Sequence, residues 1–393
     1  MQAPPAKDLR VALLIRSLEV GGAEVQLVAL ARGLQRKGHT VSVITFYPGG
    51  SLEPLLRNEG IAVLCPHKRG RWDLLSFAGR LWRVLRRLRP HVLHTFLGGP
   101  NLFGALLKPF LPRTRVVWGV RASDMDLNRY DWTWRAMFRA EGLLSRVPDW
   151  IVANSNAGRD FIAAQGFRKD HIAVIPNGID TDRFRPDRIG GAAVRAEWRV
   201  PAGMPLIGLV ARIDPMKGHA TFLEAAALLR ARLPDARFVC VGNGPVAYAQ
   251  EMRALAAKLA MDSAVIWAGE RHDIPAVLSA LDLATLTSIT EGFPNALCEA
   301  MACAHGCVTT DVGDAAMIVG DTGIVVPRAD ARALADAWER TLQRPAEQQR
   351  EMGLRARRRV EENFSVETMV TRTAAVYAQV IAGSAAPIAA RAA

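Results

Sequence analysis

The chain of 393 residues has no apolar run approaching the roughly 20 residues that a membrane-spanning helix needs. Its most apolar stretches, VALLI from Val11 and LIGLVA from Leu206, are far shorter. Met1 to Asp8 lacks the charged, apolar and small-residue succession of a secretion signal, so residence in the cytoplasm is expected. Cysteine is scarce: five residues, an odd number spread through a large chain, do not make a secreted disulfide framework and are expected to be reduced. Cys298, Cys303, His305 and Cys307 follow no zinc spacing, and ordinary buried thiols are expected there. Low-complexity blocks and short fixed-period repeats are missing, and only the Ala-rich last dozen residues look frayed. Without RNP aromatics, zinc fingers or a Lys/Arg arm, nucleic-acid binding has basicity alone behind it and is not expected.

What is present fits a globular protein. Half the residues are hydrophobic, and the length suggests two domains that can each bury a core. Net charge is +12 and unevenly spread: residues 1–190 hold 29 of the 50 Lys and Arg against 16 of the 38 Asp and Glu, and the remainder is nearly balanced. Such a one-sided field suits an anionic partner, a lipid surface or a polyprenyl diphosphate among them, and also serves general solubility.

RVALLIR from Arg10 reads as a buried strand, and SLEVGGAEVQLVALARGLQRKGH as a Gly-Gly turn and an amphipathic helix ending at Gly38. The rhythm continues through TVSVITFY, IAVLCP, a helix over 73–89, HVLHTF, a helix after Pro100, RVVWGV and DWIVANS. After PNGIDTDRFRPD it restarts with LIGLVAR, a helix from His219 to Leu233, RFVCVGNG, a helix over 246–260, AVIWAG, LDLATLTS, a helix from Asn295 and CVTTDV. The expected class is α/β, two Rossmann-like doubly wound parallel sheets joined near Arg185 to Gly191. In such sheets ligands meet the loops after the strands, so a cleft between two facing sheets is the expected site.

The chemistry concentrates in those loops. Glu291 and Glu299 lie eight residues apart in TEGFPNALCEAM, downstream of Arg212 and Lys217 in ARIDPMKGH. A carboxylate can bridge vicinal sugar hydroxyls, and Arg and Lys offer donors and positive charge to a diphosphate. Pro294 and Asn295 should open a helix with Glu299 one turn beyond Asn295, its first amides favouring an anion. Gly21 and Gly22 follow the first strand, where missing side chains let backbone amides approach a phosphate or sugar, or simply permit a turn. Gly242 and Gly244 of GNG carry the same two readings. Asp124–Asp126 and Asp180–Asp182 match a D-x-D pattern, a match frequent by chance, and no metal is expected.

GGAE at Gly21–Glu24, PNGID at Pro176–Asp180, ARIDPMKG at Ala211–Gly218 and TEGFPNALCEAMA at Thr290–Ala302, in this order and spacing, resemble glycosyltransferase family 4 from about Val11 to Tyr377. The resemblance implies the GT-B architecture: an acceptor-binding domain over 1–187, onto which a helix at 366–385 crosses back, and a nucleotide-sugar domain over 188–365. It implies a retaining transferase moving a hexose-type sugar from a UDP- or GDP-linked donor to a sugar or lipid-linked acceptor hydroxyl, in surface glycan or polysaccharide synthesis. Arg212 and Lys217 would grip the diphosphate, and Glu291 the transferred sugar together with amides around Gly292, Phe293, Pro294 and Asn295. Glu299 would hold the ribose, with Arg271 a candidate for base contacts. The co-substrate is the nucleotide sugar, and no further cofactor or metal is implied.

Two departures stand out against that family. Many relatives carry Gly and Pro after EAMAC where this chain has Ala304, His305 and Gly306, and many place a His after the strand matching RVVWGV, where this chain has Arg121. Arg121 could contact phosphate or pair with Asp124 or Asp126. His94 is expected to end its strand and face the cleft, as an acceptor-side group or a satisfied polar residue near Gly98 and Gly99. RWDLLSFAGRLWRVLRRLRP sets Trp72, Leu75, Leu81, Trp82, Leu85 and Leu88 among arginines, and Trp132, Trp134, Met137 and Phe138 form a second such surface. The first could lie on an anionic bilayer at the inner face of the cell membrane or pack against the first sheet, and the second could cover the acceptor mouth. A non-catalytic sugar-nucleotide-binding protein and a sugar-nucleotide epimerase are the alternative functions.

Overall fold

The structure, a computed structural model, describes residues 8–121 and 132–383. The chain divides into two compact units, one running to Gly178 and resuming at Val366, the other spanning Ile179–Ser365.

In the first unit, β1 (Arg10–Ile15), β2 (Thr40–Thr45), β3 (Ala62–Leu64), β4 (Val92–Phe96), β5 (Arg115–Val120), β6 (Trp150–Ala153) and β7 (Ile172–Val174) pair in parallel in the order β3-β2-β1-β4-β5-β6-β7. Successive strand residues point to opposite faces, and both faces of this sheet are covered. Val11, Leu13 and Ile15 join a core with Leu27 and Leu34 of the helix Gly22–Arg36 and with Val370 and Tyr377 of the helix Val366–Ile381. Ala12 and Leu14 face a second core with Phe77, Leu81 and Leu85 of the helix Leu75–Leu88. Double burial explains why VALLI, from Val11 to Ile15, is an unbroken apolar run instead of an alternating one. Gly33 lets the first helix meet Val366–Ile381 closely, because a Cβ there would stand 2.3 Å from a Val370 methyl.

The second unit repeats the plan with β8 (Leu206–Val210), β9 (Arg237–Val241), β10 (Val265–Gly269), β11 (Leu283–Leu286), β12 (Val308–Thr310) and β13 (Ile324–Val326), ordered β10-β9-β8-β11-β12-β13. Strand order reverses between β1 and β4 in one sheet and between β8 and β11 in the other. Loops after strands that flank such a reversal diverge and leave room for a ligand.

One expectation needs correction: the units divide after Gly178. Arg185–Gly191, expected as the joint, leads into the helix Arg188–Glu197, which packs against Ile274–Ala280; Gly191 lies so close that a Cβ would stand 2.6 Å from the Ser279 carbonyl oxygen. The apolar stripe of the basic amphipathic helix packs against the first sheet, one of its two readings, and its beginning does not. Leu81 and Leu85 are fully buried, whereas Trp72 and Leu75, at the start of the segment, are 81% and 85% exposed. Of the second aromatic surface, Phe138 is buried and the side chains of Trp132 and Trp134 lie outside the described residues.

Ala304 ends the helix Asn295–Ala302 in a left-handed conformation, φ 64°, while its amide donates to the Met301 carbonyl at 2.9 Å. An L side chain resists this conformation and glycine does not. Ala304→Gly should therefore raise the denaturation midpoint, by the equivalent of about 0.5–1 kcal/mol, measured by urea unfolding; an unchanged or lowered midpoint counts against this source of strain.

Candidate active site

The β8 loop is built by local capping. Asp214 Oδ1 accepts from the Met216 amide at 2.9 Å and closes the short turn Pro215–Lys217. Gly218 follows at φ 68°, and a Cβ there would stand 1.9 Å from the Thr287 carbonyl oxygen. Only glycine permits that approach. It lays the β8 loop against the β11 loop, where the Ile289 amide donates to the Met216 carbonyl at 2.8 Å and Thr287 Oγ1 donates to the Lys217 carbonyl at 2.9 Å.

Two opposite charges from these loops thereby meet. Lys217 Nζ lies 2.5 Å from Glu291 Oε1, to which Ser288 Oγ also donates at 2.7 Å. Gly313, at φ 53°, backs the loop: a Cβ would meet the Glu291 and Gly292 carbonyls at 2.4 and 2.5 Å, and the Asp314 amide donates to Gly292 at 3.0 Å. Arg212 stands apart, its side chain 71% exposed, with Asp214 no nearer than 3.9 Å. Phe293 anchors the loop in the core against Phe364, ring centroids 5.6 Å apart, and Pro294 precedes the helix Asn295–Ala302, which has no side-chain cap. A helix start without a side-chain cap, one exposed guanidinium and one ammonium, carried on loops that flank a strand-order reversal, are groups suited to a diphosphate.

Glu299, one turn into that helix, forms no ion pair among the described residues. Burial pushes its carboxyl up to about 7, with Arg183 acting weakly the other way. A partly desolvated carboxyl of this kind gains from ligand hydroxyls that donate to it.

Gly242 and Gly244 have a structural duty. Cβ atoms there would meet the Ala211 and Ile213 carbonyl oxygens at 2.2 and 1.9 Å, so the missing side chains join the β9 loop to the β8 loop. Beside them is a cavity of about 250 Å³ lined by Ile213, Asn243, Gly244, Arg253, Trp267 and Gly269 among others. Arg271 is taken up elsewhere, bonding Glu197 at 2.6 Å and Asp273 at 2.7 and 2.9 Å and lying over Trp198. Asp180 spends its carboxylate on the amides of Asp182 and Arg183, at 3.2 and 3.0 Å, while Asp124–Asp126 lie outside the described residues. Among the described residues no group of three or more His, Cys, Asp or Glu could hold a metal ion. Cys298, Cys303 and Cys307 are buried, and burial pushes the latter two thiols up to about 12.

In the first unit, Gly21 is extended and ends the loop before the helix Gly22–Arg36, which also lacks a side-chain cap; the Glu24 carboxylate folds back over Gly21, and Gly22 is open. Arg121, just past β5, donates to Asn177 Oδ1 and lies 5.6 Å from the Phe96 ring centroid. Burial lowers its guanidinium to about 10, and nearby Glu24 acts in the opposite direction. His94 corrects an expectation. It is inside β4 and 2% exposed, with Nδ1 2.7 Å from Tyr377 Oη, and burial pushes it down to about 3. It therefore faces the helix Val366–Ile381, not a strand-end opening. Asn177 and Ser288 escaped notice as site residues; the signals were an amide within PNGID and a hydroxyl two residues past LDLATL.

The model of Glycosyltransferase Family 4 matches residues 20–183, and that of Glycosyl transferases group 1 matches 204–344. The chain belongs to glycosyltransferase family 4. Within this family it is 26% identical over 378 residues to a D-inositol 3-phosphate glycosyltransferase of Saccharomonospora viridis, covering 83% of this chain and 82% of that one. It is 31% identical over 212 residues to the lipopolysaccharide core biosynthesis mannosyltransferase LpsB of Rhizobium meliloti, covering 52% of this chain and 60% of that protein. Over some other curated relatives the match spans about half of their length. The crystal structure of Anabaena Alr3699/HepE in complex with UDP superposes with a TM-score of 0.83 over 94% of this chain and 100% of that one, at 21% identity, which shows the GT-B fold.

The raised carboxyl of Glu299 has a measurable consequence. Between its ordinary 4.5 and about 7 the folded chain retains a proton that the unfolded chain releases, so this group lowers stability as pH rises through that window. Glu299→Gln should flatten the fall in urea midpoint from pH 4.5 to 7; an unchanged pH profile would mean the carboxyl titrates normally.

Proposed function

We propose that this chain is a retaining glycosyltransferase that moves a hexose-type sugar from a UDP- or GDP-sugar to an acceptor hydroxyl, in the assembly of a lipid-linked or surface glycan. One observation carries the reading: exposed Arg212, the Lys217–Glu291 pair and the start of Asn295–Ala302, which has no side-chain cap, all follow β8 or β11, the strands that flank the reversal of order. In support, LpsB is named as a mannosyltransferase of lipopolysaccharide core biosynthesis, and HepE was crystallised with UDP and with UDP-glucose.

The roles follow from charge and reach. Arg212 and Lys217 hold the two phosphates and stabilise the charge that grows on the leaving nucleotide. Glu291, already oriented by Lys217 and Ser288, accepts from hydroxyls of the transferred sugar, and the diphosphate gives Lys217 a second anionic partner. Glu299 accepts from the ribose hydroxyls, and the cavity beside Trp267 takes the base. The leaving phosphate oxygen and the attacking acceptor oxygen share one face of an oxocarbenium-like sugar, so the departing phosphate takes the acceptor proton. No carboxylate acts as nucleophile or base in this scheme, unlike the paired acids of glycosidases. Because the cations are the protein's own, the scheme calls for no metal.

Arg212→Ala and Lys217→Ala should each reduce sugar transfer about 100-fold to 1000-fold, measured by nucleotide release from UDP- and GDP-sugars with candidate acceptors. Transfer at the parent rate would remove both residues from the mechanism. Donor binding that raises the melting temperature without any turnover would favour the non-catalytic binding protein, and acceptor-independent change of the sugar would favour an epimerase.

We also propose a peripheral position on the inner face of the cell membrane. Trp72, Leu74 and Leu75 are exposed, with Arg69, Arg71, Arg83, Arg86 and Arg87 exposed in the same sequence segment. Exposed apolar side chains in a segment rich in exposed cations, with Arg71 over the Trp72 ring, suit an anionic bilayer. Trp72→Ser with Leu75→Ser should lower sedimentation with vesicles of mixed anionic and neutral lipid; equal sedimentation with wholly neutral vesicles by the parent chain would count against the surface.

A further inference from the structure

Of the buried polar atoms in the first unit that lack a partner, three belong to residues around a single cavity: His94 Nε2, Arg121 Nε and Asn154 Oδ1. All three residues line one cavity of about 20 Å³, bounded also by Gly119, Met369 and Thr373. Buried polar groups are rarely left alone, and three on one cavity point to a shared partner. Space of this size holds a single water, which typically makes about three hydrogen bonds. The cavity also depends on Gly119, because a Cβ there would stand 3.2 Å from His94 Nε2.

The chemistry matches a molecule that both donates and accepts. Arg121 Nε–H donates and Asn154 Oδ1 accepts. His94 Nε2 does one or the other, according to how Nδ1 shares the Tyr377 hydroxyl at 2.7 Å. On its other side Arg121 donates through Nη1 to Asn177, a residue only 4% exposed, and no described carboxylate pairs with it. Asn177 thus holds one edge of the guanidinium, and a partner for Nε would hold the other.

We propose that one ordered water occupies this cavity, bonded to His94, Asn154 and Arg121 Nε, and that with Asn177 it fixes the Arg121 guanidinium for substrate. Asn177, Asn154 and His94 are then positioning residues for Arg121, the group this chain carries where many of its family carry histidine. The inference rests on the transferase reading only for what Arg121 touches. The water and the orientation of Arg121 can be read without any activity.

A crystal structure of the full chain should contain one water within about 3.2 Å of all three atoms, and that of Asn177→Ala should show Arg121 turned or disordered. A cavity without water, or Arg121 unmoved in the variant, overturns the proposal. In transfer assays Asn177→Ala and Asn154→Ala should each lower kcat about 10-fold to 100-fold with donor KM unchanged. Asn177→Asp, which still accepts from Arg121, should recover most of the rate, and neither alanine should cost anything further when added to Arg121→Ala. Losses that add in the double variants, or no recovery by aspartate, overturn the positioning role. Absence of transfer by the parent chain would instead defeat the transferase reading, while the crystal structures would still decide the water and the orientation.

Discussion

The candidate site depends on the contact of Gly218 with the Thr287 carbonyl. No side chain fits between these backbones, and their approach joins the loops after β8 and β11 across the reversal of strand order. From it follow the bonds of Thr287 to Lys217 and of Ile289 to Met216, and then the Lys217–Glu291 pair. Gly242, Gly244 and Gly313 do the same work at neighbouring loops, each meeting a carbonyl where a methyl would clash. The loops are therefore packed against one another much as a core is, and the ion pair on top of them is a consequence of that packing.

This arrangement also changes what the Lys217–Glu291 pair means. In isolation, a partly exposed ion pair contributes little to stability. Here each member keeps the other extended and partly desolvated, ready to exchange its partner for a phosphate or a hydroxyl, so less ordering is left to accompany binding. Glu299 and Arg212 lack such a holder and depend more on the ligand itself.

The strands that build both sheets were legible because doubly covered parallel strands are continuous apolar runs, and the loop residues Arg212, Lys217, Glu291 and Glu299 follow those runs directly. β7 and β13 were not: IAV and IVV are three residues with no period, and the equally short β3 and β12 were legible only within the longer runs IAVLCP and CVTTDV. Arg188–Glu197 was hidden by Gly190 and Gly191, poor helix formers retained for close packing on Asp187, Ala276 and Ser279. Long-range partners were equally invisible: His94 reads as a ligand-facing histidine until Tyr377, 283 residues away, claims its Nδ1, and Arg271 reads as a free guanidinium until Glu197 pairs with it. Sequence spacing located the loops but could not tell which of their polar groups the fold had already used.

The core of the first unit contains Met369, Val370, Val376, Tyr377 and Val380. These side chains are made only after the whole of the second unit. Until they are made, Leu27, Leu34 and the His94 ring lack part of their cover, so the first sheet completes its core only when the helix Val366–Ile381 docks, however early its own strands are made.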